Sequence, residues 1–204
     1  MAIGLLRVKG QGGYGEAVPR RDVRRLAIDA AARLFGTDGY HGTGLTKILD
    51  ESGAPKGSFY FHFPEGKEQL AEEAIAAASA QMEEFIFFSI EQATRRGQVI
   101  EHLASALQRR LVDSDFAMGV PITSLTLETA HLSERLRTAC AAAYGRWIEL
   151  LAEHLRSAGS SKADATEVAT LIISALEGSL ALAKALRDPT LVVRSAKRLT
   201  RLLG

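Results

Sequence analysis

The stretch GAPKGSFYFHF, Gly53 to Phe63, decides how the rest of this chain is read. Phe59, Phe61 and Phe63 alternate with Tyr60 and His62, which taken locally is the period-two pattern of a half-buried strand. Phe59 and Phe63 also stand four apart, the spacing of one helix face. The choice rests on what flanks the stretch. An isolated five-residue strand leaves its backbone groups unpaired, so it needs partner strands somewhere in the chain.

None is found on either side. Upstream, Val23, Leu26, Ala27, Ala30, Ala31, Leu34 and Phe35 keep a helical repeat and predict a first helix of about 16 residues, broken by Gly36, Asp38, Gly39 and Gly42. Leu45, Ile48 and Leu49 begin a shorter second helix, with Thr43 as its expected N-cap. That helix stops at Ser52-Gly53, because glycine takes the left-handed conformation readily and Pro55 cannot continue the hydrogen-bond ladder.

Downstream, long helices are expected from Lys67 to about Arg95, from Gln98 to Val112 and from Ser133 to Ser157. A short one near Leu125 to Glu128 follows the irregular segment DSDFAMGVP. Ser161 with Asp164 resembles a capping box and starts a helix to Arg187, and Asp188-Pro189 opens the last. The chain therefore reads as all-α, about nine helices, and the opening stretch as a short helix. Residues 1–19, with four glycines after Lys9, read as a flexible arm, 20–66 as a helix-turn-helix domain and 67–204 as a helical body.

Composition narrows the function. With 47% hydrophobic residues in 204, a sizeable core is available. The net charge of +1 conceals a balance of +3 over residues 1–67, −6 over 68–132 and +4 over 133–204, so a polyanion partner belongs to the front. Cys140 is the only cysteine, which removes an intrachain disulfide and makes the cytoplasm the expected location. No apolar run approaches the roughly 20 residues needed to span a bilayer, so no membrane association is expected, and the first residues lack a signal peptide's apolar stretch.

Leu45 to Phe63 is thus helix, glycine turn, helix, with Phe59 and Phe63 turned back onto the domain. Ser58, Phe61 and His62 then face outward, with Tyr60 at the edge. Lys56 and Gly57 lie at the helix N-terminus, where backbone N–H groups and the helix dipole attract phosphate oxygens. Tyr60 and His62 can donate hydrogen bonds to phosphates or base edges. For Phe61 two readings stay open, contact with a thymine methyl or packing on a neighbouring helix. Lys67, Thr43 and Thr46 offer further phosphate anchors at helix starts. No second His or Cys lies at ligand spacing from His62, so no metal is expected. No nucleophile elbow, phosphate loop or metal motif suggests an enzyme, and no catalytic residue or cofactor is expected.

The run LAIDAAARLFGTDGYHGTGLTKILDESGAPKGSFYFHFPEGKEQLAEEAI resembles the DNA-binding domain of the TetR family of transcriptional regulators, with G-x-x-K-G-x-x-Y-x-H-F carried by Gly53, Lys56, Gly57, Tyr60, His62 and Phe63. Gly44 departs from the usual Thr or Ser, and Glu65-Gly66 lengthens the link to Lys67. That link, with GVPITSLTLE and EGSLALAKALRDP, is similar to the subgroup related to the multidrug regulators LmrA and QacR. The resemblance implies DNA contacts at Thr43, Thr46, Lys56, Gly57, Ser58, Tyr60, Phe61, His62 and Lys67. It also implies a homodimer through the last two helices, a near-palindromic double-stranded operator, and release by a small-molecule effector.

Two features of the body bear on those expectations. Val168, Leu171, Ile172, Ala175, Leu176, Leu180, Ala183 and Leu186 surround the Thr166–Arg187 helix on nearly all sides, as a helix buried against a second subunit would be. Met82, Phe85, Phe88, Phe116, Met118, Leu125, Tyr144 and Trp147 form an aromatic and Met-rich set that reads either as ordinary core or as a ligand pocket walled by DSDFAMGVP. Gln92, Glu128 and Glu177 are the nearest polar candidates, and a buried glutamate would favour a cationic ligand; the expected effector is small and hydrophobic or cationic.

Overall fold

The computed structural model of the chain describes residues 20–95 and 97–203, with side chains from Val23 onward; the expected arm at 1–19 lies outside the described residues. Within them the chain forms α1 (Arg20–Gly42), α2 (Leu45–Ser52), α3 (Lys56–His62), α4 (Lys67–Glu91), α5 (Gln98–Asp113), α6 (Pro121–Thr129), α7 (Glu134–Ser157), α8 (Lys162–Leu186) and α9 (Thr190–Leu203). No strand occurs among them. The stretch from Gly53 is a helix, and the aromatic alternation is that helix seen from two sides.

Side-chain caps open the last three helices. The Ser133 hydroxyl accepts the Leu136 N–H at 3.1 Å and the Ser161 hydroxyl that of Asp164 at 3.2 Å. The Asp188 carboxylate accepts the Thr190 N–H at 3.0 Å and its hydroxyl at 2.6 Å. Gly53 takes the left-handed conformation, φ 65°, at the end of α2. In two places the sequence expectation is overturned. Thr43 does not cap α2: Gly44 holds that position without a side-chain bond, and the buried Thr43 hydroxyl donates to the Gly39 carbonyl at 2.7 Å. α6 begins at Pro121 rather than near Leu125, with proline in its first turn, where a missing N–H costs little.

The first helix is also longer than the glycines suggested, running through Gly36 to a kink at Gly39, φ 75°. Gly36 serves close approach instead of termination. A Cβ there would lie 3.0 Å from Pro121 Cγ, and the Gly36 carbonyl accepts the Gly119 N–H at 3.0 Å. α6 is thereby held flat against α1.

α1 packs on α2, α4 and α6; α7 lies between α4 and α8; α5 and α8 close on α9. One continuous core runs from Ile48, Phe59 and Phe63 through Leu70 and Ile75 to Ile86, Leu103, Leu136 and Trp147. α8 corrects the membrane expectation in one respect: among the described helices it is long and apolar enough to cross a bilayer by length and composition. It packs on α7 and α9 through Ala165, Ala169, Ile172, Leu176 and Ala183, yet leaves Leu171, Leu182 and Leu186 exposed on its other side.

Candidate nucleic-acid interface and ligand cavity

α3 is divided by its own periodicity. Phe59 and Phe63 are each 1% exposed, their ring centroids 5.1 Å apart, and join Ile48 and Leu49 of α2 in the core. On the opposite side Phe61 is 68% and Tyr60 54% exposed. Lys56 and Gly57 are exposed, while Ser58 and His62 are half-buried. A Cβ added to Gly57 would meet nothing within 4 Å, so the backbone is bare at the start of α3. Phe61, whose sequence reading stayed open, projects outward with its ring edge-on to His62 at 5.2 Å. Both line a groove with Arg24, Ile28 and Ala77, which is why either side could claim Phe61.

Thr46 is exposed in the first turn of α2. Two of the nine expected contacts turn inward. Thr43 is fully buried, as described. Lys67 donates through Nζ to the Tyr40 carbonyl at 2.6 Å and lies 4.0 Å from the Tyr40 ring centroid. Burial holds the Lys67 ammonium below its usual pKa, with nearby Glu128 pulling the other way. In this arrangement Lys67 braces α4 against the end of α1.

Residues that sequence reasoning passed over make the joint between this front group and the body. Glu128, considered there only as a polar neighbour of the pocket, accepts the His41 N–H at 2.9 Å. A Cβ at Gly39 would fall 2.0 Å from Glu128 Oε1, so glycine is required for the close approach as well as for its φ. At the start of α7, Arg135 binds Glu72 at 2.6 Å and also pairs with Glu65 in the link before α4. Ser133 bonds Glu68. The separations of 87 residues for Glu128 and 63 for Arg135 explain why no local pattern signalled these contacts.

The ligand set divides in the same way. A cavity of 640 Å³ lies between α1, α4, α5, the start of α6 and Trp147, with Ala32, Met82, Phe85, Leu107, Met118 and Val120 in its walls. Behind it a chamber of only 30 Å³ shares Met82, Phe85, Leu107, Val120 and Trp147 and adds Ile173, Leu176 and Glu177. Met82, Phe85 and Trp147 line both spaces, Met118 only the first and Glu177 only the second. Phe88, Phe116, Leu125 and Tyr144 line neither space. Phe88 is 56% exposed on the far side of α4, and Leu125 is 1% exposed in the core. Phe116 lies under the Arg187 guanidinium, 4.9 Å from its ring centroid. Tyr144 shares a hydrogen bond with the Thr123 hydroxyl at 2.9 Å and packs edge-on to Trp147.

Burial pushes the Glu177 carboxyl up to about 7, with Thr123 offsetting part of it. It pushes the Tyr144 phenol up to about 12, to which the Glu177 charge adds. Among the described residues no group of three His, Cys, Asp or Glu side chains is placed to hold a metal.

A helix-turn-helix whose α3 N-terminus is bare, joined to a helical body with a cavity between the two, defines a class: a DNA-binding regulator. Residues 27–74 match the family described as bacterial regulatory proteins, tetR family, and residues 97–198 the transcriptional regulator LmrA/YxaF-like, C-terminal domain. The transcriptional regulator LmrA of Bacillus subtilis is 38% identical over 169 residues, spanning 83% of this chain and 90% of that protein. The uncharacterized regulator YxaF of the same organism is 35% identical over 180 residues, spanning 88% and 94%. Among solved structures, a TetR regulator from Chloroflexus aurantiacus superposes with a TM-score of 0.76 at 25% identity, over 89% of this chain and 94% of that one. A TetR-family regulator, CifR, solved with double-strand operator DNA, gives 0.72 at 23% identity over 93% and 98%. The chain belongs to the TetR family of transcriptional regulators, with an LmrA/YxaF-like C-terminal domain, and is a DNA-binding regulator rather than an enzyme.

Proposed function

We propose that this regulator is a repressor that binds a near-palindromic operator as a homodimer in the cytoplasm and is released by a small effector. The observation that carries it is the two-sided α3: Phe59 and Phe63 anchor the helix, which leaves Lys56, Gly57, Ser58, Tyr60, Phe61 and His62 toward solvent. In this reading Lys56 and the bare backbone at Gly57 hold phosphates, with Thr46 as a second anchor, while Ser58, Tyr60, Phe61 and His62 meet base edges. Thr43 acts through the packing of its turn, and Lys67 reaches DNA only if it leaves Tyr40.

The dimer reading is supported by Leu171, Leu182 and Leu186 on α8 and Leu202 on α9, large apolar side chains exposed on the last two helices. Two-fold symmetry then sets two α3 helices into successive major grooves. Effector control is supported by the position of the large cavity, whose walls come from α1 as well as from α4 and α5 of the body. A molecule that fills it displaces α4 against α1 and changes the separation of the two recognition helices. The apolar walls favour a small hydrophobic compound, and the buried Glu177 is the feature that would accept a cationic one.

Selection of bound fragments from random DNA tests the reading directly. A palindromic consensus with two half-sites about one helical turn apart is expected, and recovery of sequence-independent fragments would refute it. A regulator with no effector would instead hold its operator with unchanged affinity across a screen of apolar and cationic compounds.

A further inference from the structure

The large cavity is unlike its apolar floor at its mouth. Four arginines line it, Arg25 and Arg33 from α1 and Arg109 and Arg110 from α5, against two carboxylates, Asp29 and Asp113. Part of that charge is already committed. Arg25 lies 3.7 Å from Asp29, and Arg33 pairs with Glu51 on α2. The α5 pair is different. The Arg110 guanidinium reaches only the Met118 sulfur, at 3.2 Å, a weak acceptor, and no ion pair to Arg109 or Arg110 occurs among the described residues. A positive rim on two helices of different parts of the molecule therefore surrounds an opening floored by Met82, Phe85 and Trp147.

We infer that this mouth is a subsite for the anionic head of an amphipathic effector, with the apolar body of the molecule on Met82, Phe85 and Trp147 and its head between α1 and α5. The inference rests on the proposed effector role of the cavity and gives that effector a chemical class, a small amphipathic acid. The rim disfavours a cation at the opening. Glu177, the one group that would attract a cation, sits in the rear chamber of 30 Å³, which holds no more than a water or two. An acid in the cavity supplies the α5 guanidinium groups with the carboxylate that no ion pair gives them among the described residues, and a further charge-assisted hydrogen bond to Arg25 or Arg33 on the opposite wall ties the body to α1. Because the head sits at the rim, its contribution weakens with added salt, whereas the apolar contribution does not.

Trp147 is the only tryptophan of the chain and lines both spaces, so its fluorescence reports occupancy. The full chain is titrated with decanoate, decyltrimethylammonium and decanol, which share one apolar body and differ in the head. Decanoate is expected to bind at least about tenfold more tightly than the ammonium compound, a preference of the size charge-assisted contacts give. The double variant Arg109→Gln/Arg110→Gln is expected to lose most of that preference while leaving decanol unchanged, since both side chains are exposed and absent from the core. Arg25→Gln should produce a smaller loss. Ammonium binding equal to or tighter than decanoate, a preference that survives in the double variant, or no response to any of the three overturns the inference. A parallel gel shift without added compound separates this from the repressor reading, because loss of operator recognition there leaves the ranking of the three heads untouched.

Discussion

Glu128 and His41, 87 residues apart, are joined by one hydrogen bond of 2.9 Å from the His41 N–H to the Glu128 carboxylate, at the point where Gly39 kinks the end of α1. α6 begins at the cavity, through Pro121 and Ile122, and ends on this bond, so one short helix spans from the cavity to the end of α1. Glu128→Ala is expected to cost about 1.5–3 kcal/mol in urea unfolding, the range for a lost hydrogen bond to a carboxylate. Gly39→Ala should cost about 1–3 kcal/mol through its positive φ and the close carboxylate. In the double variant the two costs should add to less than their sum, because Glu128→Ala also removes the atom the new Cβ would strike. Strict additivity would show that the contact is not formed.

The proposed reading of α3 assigns stability to one face and recognition to the other. Phe63→Ala should lower stability by about 3–5 kcal/mol, the range for a buried phenylalanine. Phe61→Ala should change it by no more than about 0.5 kcal/mol, as surface substitutions do, while weakening operator binding. Thermal melts beside gel shifts distinguish the two, and equal melting losses would deny the division.

Lys56 is assigned to phosphate and Ser58 to base reading, and salt titration tells them apart. Lys56→Ala should weaken binding to all sequences and reduce the salt slope by about 1 per subunit. Ser58→Ala should alter sequence preference at constant slope. A change of preference with Lys56→Ala would reverse the assignment.

Glu177 gives the stability a pH dependence of defined sign. Its carboxyl titrates at about 7 in the folded chain against an ordinary 4.5, so the native state holds that proton more tightly than the unfolded one. The contribution is complete below the unfolded value and is lost as pH rises through about 7. Glu177→Gln, neutral at every pH, should therefore be more stable than the parent at about pH 8, by at most about 3 kcal/mol, and lose that advantage in acid. Melting curves at both pH values check it, and a parallel dependence in the variant would remove Glu177 as the source.

The exposed leucines of α8 predict the assembly. Leu182→Glu, at a position 57% exposed in the single chain, should leave the fold intact and shift sedimentation from dimer to monomer, since an unpaired charge would be buried in the contact. An unchanged sedimentation coefficient would place the interface elsewhere.

The sequence by itself determined the helix order, most caps and the inward face of α3, because these depend on contacts within about one to four residues. The spacing of Phe59 and Phe63 and the pairing of Ser161 with Asp164 were sufficient. It misjudged Gly36, which looked like a helix breaker and is a contact surface for Pro121, since a glycine's local freedom says nothing of what lies across from it. It also grouped Phe88, Phe116, Leu125 and Tyr144 with the cavity by type alone, whereas side-chain direction on packed helices decides which of them reach it. Only the tertiary structure placed Thr43 and Lys67 inward, set Glu128 against α1 and gathered the arginines of α1 and α5 around one opening. Each depends on chain segments dozens of residues apart meeting at a few ångströms, a relation fixed by the packing of whole helices.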